Sequence, residues 1–397
     1  MGHLTARDAV GLGLKGNRAC SVFPVPYPLE AASRGLNSVR TMPRPMARSV
    51  NPRERHPFQM YEMIHGQGGF IAETLRCLEG VEPEAFLGRP RRLILTGCGT
   101  SFHAAMYGAR IFQRAFGPSC SVEAMHAYDL AFGEAAPRGA VVLGVSHGGS
   151  TPTTNRALRR ARRNGVRTVG LCGLPGSDME KVTSGTWTIG STHDRSWANT
   201  MSYTSQLAAF AALATRLRRG ALSGLQGAVR RLPTGVSKAL ACEPEVRRLA
   251  RRVARRERVT ILGSELNEIT SLEAALKIRE TCSLSASGYH PEQFLHGPFL
   301  SVDDRESVVL LRSGDDGSRS LVIQRALAAA GAHVTSIGDR VGVDIRLPTA
   351  HPYLRPILFV IPMQFLAYHA ALARHANPDI MRTDIPRLRA GVEALFH

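Results

Sequence analysis

Residues 140–151 read Ala140-Val141-Val142-Leu143-Gly144-Val145-Ser146-His147-Gly148-Gly149-Ser150-Thr151. The run Val141–Val145 has the length and apolar character of a strand buried in a parallel sheet. The turn after it is built from Gly and hydroxyl residues. Ser150 and Thr151 are both good helix N-caps, and Pro152 suits a first helical turn. The pattern predicts a helix through Asn155 to Arg163, ended by Asn164-Gly165. A second strand returns at Arg167–Leu171. Such a turn leaves free backbone N–H groups at the positive end of a helix, a recipe for holding an anion and above all a phosphate. Ordinary βα loops are also rich in Gly and Ser, so this stretch alone leaves both readings open.

Upstream the same unit occurs once more. Arg92–Thr96 reads as a strand, Gly97-Cys98-Gly99-Thr100-Ser101 as its turn, and Phe102–Phe116 as the following helix. Two successive parallel strands with hydroxyl-rich turns at their carboxyl ends form one pocket in an open α/β sheet. Ahead of them, apolar residues from Phe58 to Leu78 fit two short amphipathic helices around the Gly66–Gly69 break. Downstream, a strand at Thr186–Gly190 and the turn His193–Thr200 lead into a long apolar helix, Tyr203–Leu217. Gly220–Pro233 is rich in Gly and Arg and reads as a linker region, helical in part. The pattern then restarts, with helix Glu245–Arg256, strand Val259–Gly263 and helix Thr270–Cys282. Strand Ser307–Leu311, helix Ser320–Ala330, strand His333–Ile337 and helix Pro356–Arg374 complete it. Two βαβ stacks of similar size imply an internal duplication.

Composition narrows the classes. With 397 residues, two to three domains are expected, and an apolar fraction of 44% is ordinary for a globular protein. No apolar run reads as a membrane span, and the amino terminus lacks the apolar core of a signal peptide. Seven cysteines without a C-x-x-C pair argue for reduced thiols in a cytoplasm and against a zinc site or a disulfide framework. The net charge of +18 invites a nucleic-acid reading, but nearly all basic residues are Arg, spread over helix faces without interleaved aromatics. That points to solvated surfaces, not a nucleic-acid partner. Residues 1–55 hold eight Arg and one Lys against Asp8, Glu30 and Glu54, with little periodicity. They read as a disordered arm, a transit-like leader or sequence upstream of the true start, with Met42, Met46 and Met60 as alternative starts.

Five stretches together resemble the sugar isomerase (SIS) domain, present twice. They are Gly97–Ser101, Ser146–Thr151, Asn199–Thr204, Leu272–Glu280 and Gln293–Pro298. More narrowly, residues 58–393 resemble the isomerase half of glutamine–fructose-6-phosphate aminotransferase and its stand-alone relatives. The fold this implies is α/β, two αβα three-layer domains with central parallel sheets, over residues 56–235 and 236–397. The resemblance places Thr100, Ser101, Ser146, Gly148 and Thr151 around a sugar phosphate. It places His147 where a Gln often meets the sugar, and Asn199 and Thr200 near the ring. Glu273, Lys277 and Glu280 match the charged residues of the second-half helix, with Glu280 as the base that moves a proton between sugar carbons. His296 matches the ring-opening residue, which in this family reaches in from a neighbouring subunit of a homodimer or higher homo-oligomer. No metal and no cofactor is implied.

The residues themselves are compatible with that chemistry. Glu273, Lys277 and Glu280 fall within about 60° on one helix face. Moving a proton next to a carbonyl needs a base held close and a way to steady the enediolate, which a partly buried carboxylate beside a cation provides. Without the resemblance, a surface Glu–Lys pair worth a few tenths of a kcal/mol is the simpler account.

Four departures from the family pattern stand out. No glutaminase domain is present, so ammonia from glutamine is not expected from this polypeptide. Gly148 replaces a phosphate-turn Ser, removing one hydroxyl donor while its N–H stays. No Lys follows Lys277; the tail, Asn377–Arg387, carries Arg instead, which forms no Schiff base at ordinary pH. Glu292-Gln293 precedes His296 where relatives place an acid nearer the His. The expected activity is isomerisation, deamination or deglycation of a hexose or hexosamine 6-phosphate through an enediol or enediolamine. The alternative is a non-catalytic sugar-phosphate-binding regulator.

Overall fold

The computed structural model describes residues 53–217, 222–314 and 318–396. Expectations for residues 1–52, including most of the amino-terminal arm, lie outside the described residues. Ten strands form two five-stranded sheets. The first holds β1 (Arg92–Gly97), β2 (Ser121–His126), β3 (Val141–Ser146), β4 (Arg167–Cys172) and β5 (Gly185–Thr188), in the order β2-β1-β3-β4-β5. The second holds β6 (Arg258–Gly263), β7 (Ser285–Tyr289), β8 (Glu306–Arg312), β9 (His333–Gly338) and β10 (Ile345–Arg346), in the order β10-β9-β8-β6-β7. Every pairing is parallel. Read from its β7 edge, the second sheet repeats the strand order of the first, so the duplication extends to topology.

In each sheet the chain reverses its direction of winding between the first and third strands. A crevice opens there at the strands' carboxyl ends. In the first sheet the two hydroxyl-rich turns, Gly97–Ser101 after β1 and Ser146–Thr151 after β3, flank that point. β3 is buried along its whole length, as its unbroken apolar run requires.

From residue 222 on, the linker region is partly helical as expected, with Leu225–Arg230 followed by Leu232–Leu240. The expected domain boundary at residue 235 therefore falls inside a helix. The Asn267–Cys282 helix packs against both Arg355–Ala373 and Thr100–Phe116, and the latter packs on Met201–Leu217. One apolar core runs through these four helices and the inner faces of both sheets. Smaller clusters fill the outer layers of the first sheet, under Leu158, and of the second, under Leu327. The segment Pro352–Ala373 has the length and hydropathy of a membrane span, but 89% of its apolar window is buried in this core.

Candidate active site

The Asn267–Cys282 helix is buried on almost every side because it lies between two other helices. That overturns the surface-pair account of its charges. Glu273 and Lys277 are both 0% exposed. Lys277 Nζ lies 2.6 Å from Glu280 Oε2 and 3.3 Å from Glu273 Oε1. It also donates to Thr100 Oγ1 at 2.9 Å and to the carbonyl of Ala198. An ammonium has three protons. Thr100 and Ala198 take two of them and Glu280 pairs with the charge, so Lys277 is a fixed internal cation.

Glu273 is the mirror image of this. Its Oε1 accepts from Thr100 Oγ1 at 3.1 Å, and its Oε2 lies 2.6 Å from His103 Nδ1. Burial disfavours its charge, but Lys277 and the His103 and Thr100 hydrogen bonds outweigh burial and hold its carboxyl below the usual range. It is therefore an ionised acceptor, and His103 must donate through Nδ1. Burial likewise works against the charge on Lys277, and the two carboxylates more than reverse it. Glu280 goes the other way. Burial raises its carboxyl above the usual range, and Lys277 offsets only part of that. Its side chain keeps 18% of its surface exposed. A carboxyl poised above its ordinary value and open on one side is suited to take and return a proton.

Thr100 differs from the phosphate ligand expected of it. Its proton goes to Glu273 and its lone pair receives Lys277, so the hydroxyl is a brace between the two halves. Ser101 is better placed: it accepts from Gln206 Nε2 at 3.3 Å, which leaves its own proton to donate.

The Ser146–Thr151 turn is held from within. Ser146 Oγ accepts the N–H of Gly149 and lies 3.1 Å from Thr151 Oγ1. The Thr151 hydroxyl therefore faces Ser146 and makes no cap bond to its helix, Pro152–Arg163, although the residue occupies the N-cap position. Asn155 Nδ2 holds the carbonyl of Gly149 at 2.9 Å. Gly149 adopts φ +64°, and a Cβ there would lie 2.4 Å from the Ser177 Cβ, so both backbone and space demand glycine. Gly148 has ordinary φ and open space around its missing side chain, 3.7 Å from the nearest atom.

His147 is buried. Its ring is buried against Gly173, and its Nε2 accepts the backbone N–H of Asp194 at 3.0 Å. Asp194 is fully buried and receives the N–H groups of Ser196 and Ser202 and the Ser202 hydroxyl. This knot shapes the loop that carries Ala198, the carbonyl partner of Lys277. Asn199 in the same loop adopts φ +52°, a left-handed conformation that Asn tolerates. Thr200 is buried; its carbonyl accepts from Gln364, while its hydroxyl has no partner among the described residues.

The structure thus brings Thr100, Glu273, Lys277 and Glu280 into one cluster, and ties the Asn199–Thr200 loop to it through Ala198. His296 sits apart. It is exposed at the end of the short helix Pro291–Leu295, where its N–H caps onto Glu292. Sequence reasoning missed His103 and Asp194. His103 lies one helical turn into the Thr100–Phe116 helix on the Thr100 face, a position that the 3.6-residue period could have flagged. Asp194 carries no local signal, because its partners come from the turn and helix that follow it in space.

Comparison with known proteins shows what the chain is similar to. Residues 86–216 match the family model described as the SIS domain. The chain is 30% identical over 298 residues to a glutamine–fructose-6-phosphate aminotransferase (isomerizing) of Pyrococcus horikoshii, covering 72% of this chain and 50% of that protein. The chain spans about half the length of the curated relatives it matches. Its fold is that of the C-terminal domain of glucosamine-fructose-6-phosphate aminotransferase from Francisella tularensis, with TM-score 0.75 at 21% identity over 82% of this chain and 99% of that one. Tagatose-6-phosphate ketose/aldose isomerase from Escherichia coli is similar as well, with TM-score 0.71 at 20% identity over 83% and 96%. The two SIS-type αβα layers and the likeness to phosphosugar-isomerase folds read from the sequence are therefore correct.

Proposed function

We propose that this double SIS-type chain moves a proton between adjacent carbons of a hexose or hexosamine 6-phosphate. With a plain sugar the outcome is aldose–ketose isomerisation; with a 2-amino sugar it is deamination or deglycation through the enediolamine. The observation that carries the reading is Thr100 Oγ1, which bonds Glu273 and Lys277 at once. Through it, the Gly97–Ser101 turn of the first half is tied to the Glu280 helix of the second half.

On this reading the residues take the following roles. Ser101, Ser146, Thr151 and the N–H groups of the 146–151 turn take the phosphate, a remote grip that positions the reacting carbons. Glu280 is the base. Lys277 and Glu273 fix its place and field, and the Lys277 cation steadies the charge that gathers on the sugar oxygens. Thr200 and Asn199 line the ring. His296 acts from a neighbouring subunit, which makes the functional unit a homodimer or larger homo-oligomer with a shared site. The described cysteines are all free thiols, which suits a cytoplasmic enzyme.

The test is a panel of fructose 6-phosphate, tagatose 6-phosphate and glucosamine 6-phosphate, assayed for binding by thermal shift and for turnover with and without ammonia. At least one is expected to bind and react. Glu280→Gln keeps binding and loses turnover by about 10³-fold or more. Binding without turnover in the wild type supports the regulatory alternative, and wild-type turnover in Glu280→Gln removes Glu280 from the mechanism.

A further inference from the structure

An enediol route needs two proton transfers. One moves between carbons; the other moves between the oxygens those carbons bear. Glu280 serves the first. Lys277 is a buried, ion-paired cation, the Thr100 proton is committed to Glu273, and His296 is assigned to ring opening. Among the described residues joined to this cluster, His103 is a further acid–base group. Its Nδ1–H is fixed by a fully buried, ionised carboxylate, Glu273, at 2.6 Å, which sets the tautomer and leaves Nε2 as a proton acceptor. Among the described residues Nε2 has no partner, and the side chain is 16% exposed. His103 and Glu280 flank the same ammonium, one through Glu273 and the other directly.

We propose that His103, held by Glu273, is a catalytic residue that carries the hydroxyl proton between O1 and O2 of the bound sugar. This rests on the isomerase reading above. From the ketose side, Glu280 takes the C1 proton, the C1–H electron pair becomes the C1–C2 double bond, and the carbonyl pair moves to O2. His103 Nε2 takes the proton of O1–H and delivers it to O2. The O1 electron pair then forms the new carbonyl, and Glu280 gives its proton to C2. The imidazolium that forms in between is paired with Glu273. Every proton taken is returned, so no co-reactant is needed.

His103→Asn separates the two transfers. With whichever of fructose 6-phosphate and tagatose 6-phosphate the wild type converts, conversion and washout of the C1 proton into D2O are followed by proton NMR on the same sample. Net conversion is expected to fall about 10²-fold while washout stays within twofold, since Glu280 still forms the enediolate and returns a deuteron to C1. If both rates fall together, or neither falls, the assignment to His103 is wrong while the isomerase reading stands. If the wild type converts neither sugar and exchanges no C1 proton, the reading itself fails and this inference with it. A second measurement needs no variant. The 15N resonance of His103 Nε2 in the wild type should shift on adding glucitol 6-phosphate, which binds but cannot react; an unmoved resonance at saturation overturns the contact.

Discussion

Replacing Lys277 with Met tests whether the charged helix is organised as described. Met approximates the Lys stem and removes only the ammonium. Two carboxylates then lose their cation, one of them with no exposure to water at all. Breaking a buried ion pair by deleting one partner costs about 3–5 kcal/mol. Unfolding entropy scales with chain length, so for 397 residues that loss corresponds to a fall in Tm of about 4–6 °C. The sign of the pH dependence is also fixed. In the wild type, Glu273 sits below its usual range, so it contributes stability above the unfolded-state pKa that disappears as pH falls through the folded one. In Lys277→Met, burial is left to act on Glu273 and Glu280 and raises both. The folded state then holds protons that the unfolded chain has released, which costs most at high pH and least below the unfolded-state pKa. The Tm gap between wild type and variant should therefore be widest at pH 8 and narrow toward pH 5. Differential scanning calorimetry across that range reads both quantities. A gap under about 1 °C, or one of constant width, would refute the buried-cation account.

Two further predictions concern the loops. Gly148→Ser should be tolerated, since its φ is ordinary and the space is open, and the added hydroxyl should tighten sugar-phosphate binding by about 1 kcal/mol in titration calorimetry; Gly149→Ala, by contrast, meets Ser177 and a left-handed backbone and should weaken binding and lower Tm. Asp194→Ala leaves three donors around a buried site unpaired, and should cost about 3 kcal/mol in urea unfolding while raising KM through the displaced Ala198–Thr200 loop; unchanged stability would show that this carboxylate does not organise the loop.

The sequence alone determined the parallel αβ layering, the duplication and the two hydroxyl-rich turns, because those depend on local signals. Buried strands are continuous apolar runs, and Gly, Ser, Thr and Pro mark the turns between strand and helix. The strands it missed, β2, β7 and β10, are at or next to sheet edges. β2 and β7 are partly exposed along their length, so neither carries a long apolar run, and β10 spans two residues. Only the tertiary structure decided what the charged and hydroxyl residues do. Glu273 and Lys277 have the spacing of a surface pair and become a buried triad with Glu280 because helices from two distant segments close over them. Thr100 reads as a phosphate donor and serves as a brace because Glu273, 173 residues away in the chain, takes its proton. His147 reads as a sugar contact and instead fastens a loop, because Asp194 presents its N–H there. A hydrogen-bonding side chain is assigned by whichever partner reaches it first in space, and that partner is set by the packing of remote helices, which no local pattern records.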